Sequence, residues 1–300
     1  MHRLCLLLLC TLLLCHTTRV YAEDIYLPRS NDREPWAPYI VELMRAALTK
    51  APGPTPDRFH WLETHMTQDR AFMQLRSNQR LDIYWSMTSQ AREQGVQVIR
   101  IPLLKGLLGN RLLVIRPDSA SRFANVRTLD DLRRNFKLGQ GHDWPDTTIQ
   151  KAAGLNTVTS STYDTLYSML QAQRFDAIPL GVNEVDDELG KHADLNLMVE
   201  PSLALSYPAP VFFFVAPQKV ELARRLEAGL QRMISDGSFD AMFEKRWSKT
   251  LLSKNMKNRR IFVLPNPLLS PETSEMIRRH PEYFLFGKKL DSTTPSSGLR

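Results

Sequence analysis

The sequence is poor in cysteine. Its three cysteines, Cys5, Cys10 and Cys15, all lie within the first fifteen of 300 residues. The remainder of the chain therefore contains no disulfide, thiol nucleophile or thiolate metal site. It also lacks any later run of the roughly 18 apolar residues that a membrane-spanning helix requires. Stability must come from a hydrophobic core, for which a hydrophobic content of 43% is ordinary.

The first twenty-two residues have the pattern of a signal peptide. His2 and Arg3 form a short basic start, Leu4 to Leu14 is apolar, and Val20 to Ala22 ends on a small residue at the expected cleavage position. We predict that 1–22 is removed and that the mature chain starts at Glu23. A disulfide-free exported protein of this size is typical of the bacterial periplasm, which is the location we expect.

Signals for nucleic-acid binding and for common catalytic sites are missing. Without the N-terminal segment, 37 basic residues face 32 acidic ones, and the densest basic cluster is 254–260. No basic stripe with interleaved aromatic residues is present, so no nucleic-acid partner is expected. The sequence has no nucleophile elbow, phosphate loop or dinucleotide fingerprint. His60 and His65 do not share a helical face, so we expect neither a metal nor a cofactor.

Strand-like and helix-like segments alternate twice along the chain, which predicts an α/β fold with parallel sheets covered by helices. The first set comprises the predicted strands 25–27, 59–62 and 83–85 and the helices 39–48 and 67–75. The second comprises the strands 112–115, 136–139 and 175–180 and the helices 163–173 and 182–189. Helices at 221–234 and 238–247, a strand at 259–264, a loop at 266–273 and a disordered tail from about 290 complete the pattern.

Four stretches in order resemble the polar-amino-acid-binding family of type 2 periplasmic solute-binding proteins (bacterial extracellular solute-binding family 3). They are Arg80 to Ile83 with Met87 to Arg92; Thr128 to Leu132 with Lys137 to Gly141; Leu170 to Ala177; and Leu226 to Trp247. The chain is similar here to a divergent member of that family. The resemblance covers about 23–250.

The resemblance implies two α/β lobes, each with a mainly parallel sheet, joined by two crossing hinge strands. Lobe 1 is expected to comprise 23–110 and 207–250, and lobe 2 to comprise 111–206. The hinge passages are expected at 104–110 and 203–210, where glycine and proline tolerate bending. The segment 251–300 is then a C-terminal extension.

Arg92 occupies the position of the family's carboxylate-binding arginine, and a guanidinium grips a carboxylate with two parallel hydrogen bonds. The chain is one residue shorter than the family pattern here, and Ser89 replaces the usual threonine. The resemblance also places Trp36, Trp85, Ser86, Thr88 and Ser89 at the lobe-1 side of a ligand. For Trp36 and Trp85, packing in the core is the competing interpretation.

The loop from Gly141 to Asp146 precedes a predicted helix in lobe 2, where backbone N–H groups favour an anion. His142 and Asp143 are candidates for pH-sensitive ligand contacts, and Asp146 is expected to cap the helix. The family's ammonium-binding aspartate falls on Gly181, so Glu184 is the candidate acidic partner. Lys105 and Arg111 flank the first hinge, either as helpers of an anionic ligand or as solvated side chains.

The leading prediction is a monomeric binding protein that captures an anionic or zwitterionic small molecule, such as an amino acid, by hinge closure. It would deliver the solute to an inner-membrane ABC permease or a sensor. One alternative is an enzyme resembling cyclohexadienyl dehydratase, with His142, Asp143 or Glu184 in acid/base roles. Another is an accessory protein with a vestigial cleft that binds a partner through 254–260.

Overall fold

The computed structural model describes residues 23–29, 35–51, 57–64, 66–77, 79–142 and 144–285. The predicted signal peptide and the tail from about 290 lie outside these residues. The strands are β1 (Asp24–Leu27), β2 (Arg58–Trp61), β3 (Ile83–Met87), β4 (Gln97–Ile99), β5 (Asn110–Ile115), β6 (Lys137–Gly141), β7 (Asn156–Ser160), β8 (Ala177–Gly181), β9 (Met198–Val199), β10 (Leu203–Ser206), β11 (Val211–Val215) and β12 (Arg260–Val263). The α-helices are α1 (Ala37–Lys50), α2 (Gln68–Arg76), α3 (Gln90–Glu93), α4 (Ala120–Phe123), α5 (Leu129–Asn135), α6 (Pro145–Ala152), α7 (Tyr163–Gln171), α8 (Val185–Lys191), α9 (Val220–Ser235), α10 (Ser238–Ser253) and α11 (Pro271–Arg279).

The first lobe is built on two small sheets that lie side by side. β1 and β2 pair in parallel, while β11 pairs antiparallel with both β3 and β4. The backbone N–H of Asp82 donates to the carbonyl of Tyr26 at 2.9 Å and joins the start of β3 to β1. β11 reads Val-Phe-Phe-Phe-Val and is completely buried, so its side chains supply the core on both faces of the sheet.

The second lobe is built on one larger sheet in the order β12-β10-β5-β8-β6-β7, with β9 beside β5. β6 runs parallel to both β7 and β8, which reflects the predicted strand–helix alternation. β5 is antiparallel to β8, β9 and β10. The predicted two-lobed α/β class is confirmed, but the sheets are mixed rather than mainly parallel, because strands that cross between the lobes return antiparallel to their neighbours.

The two crossing passages touch at Gly109. A Cβ atom built on Gly109 would lie 2.0 Å from the carbonyl oxygen of Tyr207. The backbone N–H of Tyr207 donates to the carbonyl of Gly109 at 3.1 Å. Because any side chain at this position would separate the two segments, the close approach of the crossing strands depends on glycine.

Two helices differ from the sequence-based expectation near the C-terminus. α10 continues to Ser253, beyond the predicted end at Trp247. The predicted loop at 266–273 instead contains the start of α11, where Ser270 caps the helix by accepting the N–H of Thr273 and Pro271 occupies its first turn. β10 also lies in the predicted hinge passage 203–210. No helix among the described residues is long and apolar enough to cross a membrane.

Candidate functional site

A cleft of about 820 Å³ opens between the two lobes. This volume lies within the roughly 300–1,000 Å³ typical of small-molecule sites. Its first-lobe side includes Trp36, Gln68, Tyr84, Trp85, Ser86 and Arg92, and its second-lobe side includes Arg111, Gly141, His142, Trp144, Asp146, Tyr163, Glu184 and Glu188. The lining therefore combines aromatic surface with charges of both signs.

Arg92 is one of the cations that line the first-lobe side of the cleft. Its Nη1 donates to Ser86 Oγ at 2.9 Å and to the Met87 carbonyl at 2.8 Å, while Nη2 donates to Gln68 Oε1 at 2.6 Å. The guanidinium carbon lies 5.5 Å from the centre of the Phe72 ring. The side chain is thus held in one orientation at the cleft surface, with an amide oxygen already bound to it.

Local sequence explains this orientation. Ser86 is in β3, whose residues are all buried. Two helices with capped N-termini, α2 and α3, carry the neighbouring site residues. Ser89 caps α3 by accepting the backbone N–H of Arg92 at 3.3 Å, and Thr67 caps α2, placing Gln68 at the first helical position. The two short polar caps therefore bring Arg92 and Gln68 together.

A buried charge network forms the base of the second-lobe side. Arg111, only 3% exposed, pairs with Asp146 at 2.6 Å and with Glu184 at 3.1 Å. Its Nε donates to the Tyr207 hydroxyl at 2.9 Å, and that hydroxyl donates to Asp146. Two carboxyl groups therefore surround one guanidinium.

Glu184 folds back onto the end of β8. Its Oε2 accepts the backbone N–H of Gly181 at 3.0 Å. A Cβ on Gly181 would lie 2.7 Å from the same oxygen. The carboxyl group of Glu184 therefore fills the space that a side chain at position 181 would occupy. The Glu184 side chain remains 20% exposed.

The protonation of this carboxyl group is shifted by its surroundings. Burial raises the pKa of Glu184, and Arg111 and the Gly181 N–H oppose the shift without cancelling it. The Trp36 indole approaches the carboxylate, although its Nε1 makes no hydrogen bond of normal geometry. Such a carboxyl group gains more from a nearby cation than a fully solvated one does.

Aromatic rings line both sides of the cleft. Trp85 and Tyr84 stack with centroids 6.4 Å apart on the first lobe, and Trp144 lies 5.3 Å from Tyr163 on the second. Trp36 and Trp85 are 4% and 2% exposed, so most of each indole packs in the core. Packing in the core, the competing interpretation of these tryptophans, is thus observed, although both residues also line the cleft.

The structure brings most of the predicted site residues together. Trp36, Trp85, Ser86, Arg92, Gly141, His142 and Glu184 line the cleft. Thr88 and Ser89 lie behind the wall: Thr88 Oγ1 donates to Glu93 at 2.5 Å, and Ser89 caps α3. Asp143 lies outside the described residues. Whether any of these side chains contacts a ligand stays a prediction.

Several expectations about charged residues are wrong. Asp146 does not cap α6, because its carboxylate binds Arg111 and Tyr207 instead. Arg111 is not solvated, because it is buried and pairs with Asp146 and Glu184. Lys105 pairs with Asp240 at 2.7 Å and is not part of the cleft lining. The sequence signal for this buried network was a charged residue directly before the apolar run 112–115.

The basic cluster 254–260 is largely used within the fold. Lys254 pairs with Asp186. Arg259 donates to the carbonyls of Glu200 and Leu203, and Arg260 donates to the Val126 carbonyl at 2.6 Å. These contacts argue against a partner-binding patch. Among the described residues, no group of three potential metal ligands is present.

Comparison with solved structures identifies the fold. An arginine-specific periplasmic binding protein of Salmonella typhimurium matches with a TM-score of 0.55 and 16% identity, over 75% of this chain and 99% of its own. A probable amino-acid ABC transporter extracellular-binding protein of Bacillus subtilis gives the same values. A periplasmic His/Glu/Gln/Arg/opine-family binding protein of Silicibacter pomeroyi, in complex with lysine, matches with a TM-score of 0.53 and 11% identity, over 74% of this chain and 96% of its own.

The resemblance predicted from the sequence is thus confirmed at the level of the fold. No protein-family model and no curated protein sequence matches this chain. The solved neighbours are similar along nearly their whole length, while about a quarter of this chain lies outside the match.

Proposed function

We propose that this protein is a solute-binding protein that holds a small zwitterionic molecule between its lobes. The observation that carries the proposal is the presence of Arg92 and Glu184 on the two sides of one cleft. Arg92 would bind the carboxylate of the solute and Glu184 its amine. An amino acid or a similar molecule offers both groups at short separation.

The geometry around Arg92 supports the carboxylate end. Gln68 Oε1 accepts from Nη2 at 2.6 Å, at the short end of hydrogen-bond lengths, so an oxygen acceptor already fits there. A carboxylate would take the place of this amide oxygen and add a charge-assisted bond. Ser86, whose hydroxyl lies 2.9 Å from Nη1, is within reach of the same anion.

The amine end is supported by Glu184. The resemblance to amino-acid-binding proteins implies an acid at position 181, where this chain has glycine, and the carboxyl group of Glu184 lies beside that position. The surrounding network contains two acids and one guanidinium, so it favours an incoming cation. The pKa of Glu184, raised by burial, would fall when an ammonium group binds.

We further infer the biological setting from the solved neighbours, which are periplasmic or extracellular amino-acid-binding proteins. The mature chain would act in the periplasm as a monomer and present its solute to an inner-membrane permease or sensor. Lobe 1 would comprise 23–110 and 207–250, and lobe 2 would comprise 111–206. Bending at 104–110 and 203–210 would close the cleft.

A thermal-shift screen of the mature protein tests the proposal. The panel is the standard L-amino acids, succinate and glutathione, because bound solute raises the unfolding temperature. We expect at least one amino acid to give a concentration-dependent shift. A panel in which none of these compounds shifts the unfolding temperature contradicts the proposal.

One observation favours a second candidate, an enzyme resembling cyclohexadienyl dehydratase. A carboxyl group in a cleft with a raised pKa, such as Glu184, is suited to general acid catalysis. Incubation with prephenate or arogenate separates the two functions. Loss of the substrate with release of water and carbon dioxide favours the enzyme, whereas binding without turnover favours the solute-binding protein.

A further inference from the structure

The C-terminal extension reaches from the second lobe across the hinge to the first. After α10, β12 pairs in parallel with β10, adding an edge strand to the second-lobe sheet. Asn266 Nδ2 then donates to the Pro208 carbonyl at 2.7 Å, in the second hinge passage. Leu285 donates its N–H to the Lys105 carbonyl at 3.0 Å, in the first hinge passage. The described part of the extension thus contacts both lobes and both hinge passages.

On the first lobe, the extension holds the side chain next to Arg92. The Glu93 carboxylate accepts hydrogen bonds from Ser270 Oγ at 2.7 Å and from Thr273 Oγ1 at 2.6 Å. Arg100 Nη2 donates to it at 2.7 Å, and the side chain of Glu93 is only 5% exposed. We call Glu93, Ser270 and Thr273 the Glu93 clasp.

The short helix that carries Arg92 depends on contacts with other parts of the chain. α3 has only four residues, and a single helical turn is unstable alone. Its first N–H, that of Gln90, donates to the Leu268 carbonyl at 2.7 Å. The extension therefore contacts α3 at both ends, through Leu268 at its start and through the Glu93 clasp at its end.

The extension also contributes to the apolar cluster beneath Arg92. Met276 of α11 and Phe284 are buried together with Phe72, the ring over which the Arg92 guanidinium lies. Phe284 also packs against Gly106, where a Cβ would lie 2.6 Å from its ring. The aromatic support of Arg92 and the first hinge passage are thus linked by one side chain of the extension.

We propose that the C-terminal extension contributes to the binding site. Ser270 and Thr273 donate hydrogen bonds to Glu93 and thereby position Arg92, the preceding residue. The inference rests on the proposed role of Arg92 as the carboxylate-binding residue. The same extension adds β12 to the second lobe, which also contains Glu184. It therefore connects the residues that position Arg92 with the lobe on the other side of the cleft. Ser270 and Thr273 do not line the cleft, so they act through Arg92 and not on the solute.

The test uses the mature full-length protein and the double variant Ser270→Ala/Thr273→Val, which removes both hydroxyl donors at nearly constant volume. Glu93→Gln is a second variant that keeps the shape of the clasp and removes its charge. Ser274→Ala is the matched control: it lies on the same helix, and its hydroxyl donates to the Ser270 carbonyl and not to Glu93. Two readouts are compared, backbone hydrogen exchange in 86–93 and affinity for the panel amino acid with the greatest thermal shift.

If the extension positions Arg92, hydrogen exchange in 86–93 rises about tenfold or more in the double variant and in Glu93→Gln, while Ser274→Ala resembles the wild type. The affinity falls by about tenfold or more, and this loss disappears when the changes are made in an Arg92→Ala background. A loss that persists without Arg92 would indicate a general structural effect and contradict positioning. Unchanged exchange and affinity in both clasp variants would overturn the inference while leaving panel binding, and so the proposed function, intact. If no panel compound shifts the unfolding temperature, the proposed function is contradicted. Hydrogen exchange in 86–93 then decides by itself whether the Glu93 clasp stabilises α3.

Discussion

The carboxylate of Glu184 accepts the backbone N–H of Gly181 at 3.0 Å, so an acid three residues away stands beside a glycine. The counterpart of the resembling family's acid falls on Gly181, and Glu184 was the candidate for its place. The glycine leaves room for the returning carboxylate, whose Oε2 lies 2.7 Å from where a Cβ would be. The carboxyl group of Glu184 therefore lies beside position 181, and its contact with a solute amine is a prediction.

The first prediction concerns the amine end of the solute. Glu184→Gln keeps the size of the side chain and removes its charge, so binding of an amino acid should weaken by about tenfold or more. Binding of the corresponding carboxylic acid without the amine should change much less. Isothermal titration of both compounds measures the difference. Equal losses for the two would show that Glu184 does not contact an amine.

The second prediction concerns the buried network. Arg111→Met should destabilise the fold by about 3–5 kcal/mol, because it leaves the carboxylates of Asp146 and Glu184 without their cation. Arg122→Met is the control: Arg122 also pairs with an acid, Asp176, at 2.7 Å, but its side chain is 50% exposed. That exposed pair should contribute less than about 1 kcal/mol. Chemical denaturation measures both, and similar losses would contradict the role assigned to the Arg111 network.

The third prediction concerns the contact between the crossing strands. Gly109→Ala should destabilise the protein by about 1–3 kcal/mol, since the new Cβ would lie 2.0 Å from the Tyr207 carbonyl oxygen. Gly190→Ala is the matched control in α8, where a Cβ would meet nothing within 4 Å. There the same change should stabilise by about 0.5–1 kcal/mol. Equal changes in the unfolding temperature of the two variants would show that the crossing passages at Gly109 and Tyr207 can separate without loss of stability.

The fourth prediction concerns pH and the Glu93 clasp. Burial raises the pKa of Glu93, but hydrogen bonds from Thr273, Thr88, Ser270 and Arg100 together hold it below its usual value. A lowered pKa in the folded state means that the contribution to stability is present above the ordinary value of 4.5 and is lost as the pH falls through the folded value. The stability difference between wild type and Glu93→Gln should therefore shrink below about pH 4.5.

Measuring the free energy of unfolding of both proteins between pH 7 and pH 3 checks this prediction. The control is Glu221→Gln, at an exposed acid on α9 that pairs with a neighbour on its own helix, Arg224. A pH-independent gap between wild type and Glu93→Gln would indicate that the carboxylate is not the stabilising group.

Much of the fold was predictable because its signals are local. The helical spacing of apolar residues in 39–48, the capping box at Thr128 and Asp131, and the glycine at 237 each fix an element without distant contacts. The pairing of β5 with β8 and β10 was not predictable, since it joins residues about 60 to 95 positions apart in the sequence. α11 was missed because prolines at 265, 267 and 271 suggest a loop, whereas Pro271 begins the helix.

The site was predictable in part for the same reason. Arg92 and Ser86 lie close in sequence and meet in space, so the pattern of one short stretch was sufficient. Gln68 and the clasp residues Ser270 and Thr273 reach Arg92 and its neighbour Glu93 from distant parts of the chain, and no local pattern indicates them. Arg111 gave a signal as a charge directly before the apolar residues of β5, but its pairing with two acids was identified only by the fold.

The most direct test of the central claim is isothermal titration of the best-binding panel amino acid into the wild type and into Arg92→Ala and Arg92→Lys. If Arg92 binds the carboxylate, Arg92→Ala should lower the affinity by about 100-fold or more. Arg92→Lys should recover only a small part of the loss, because an ammonium group cannot make two parallel hydrogen bonds to a carboxylate. Affinity that is unchanged in Arg92→Ala, in a protein that remains folded, would contradict the proposal that this cleft holds its solute through Arg92.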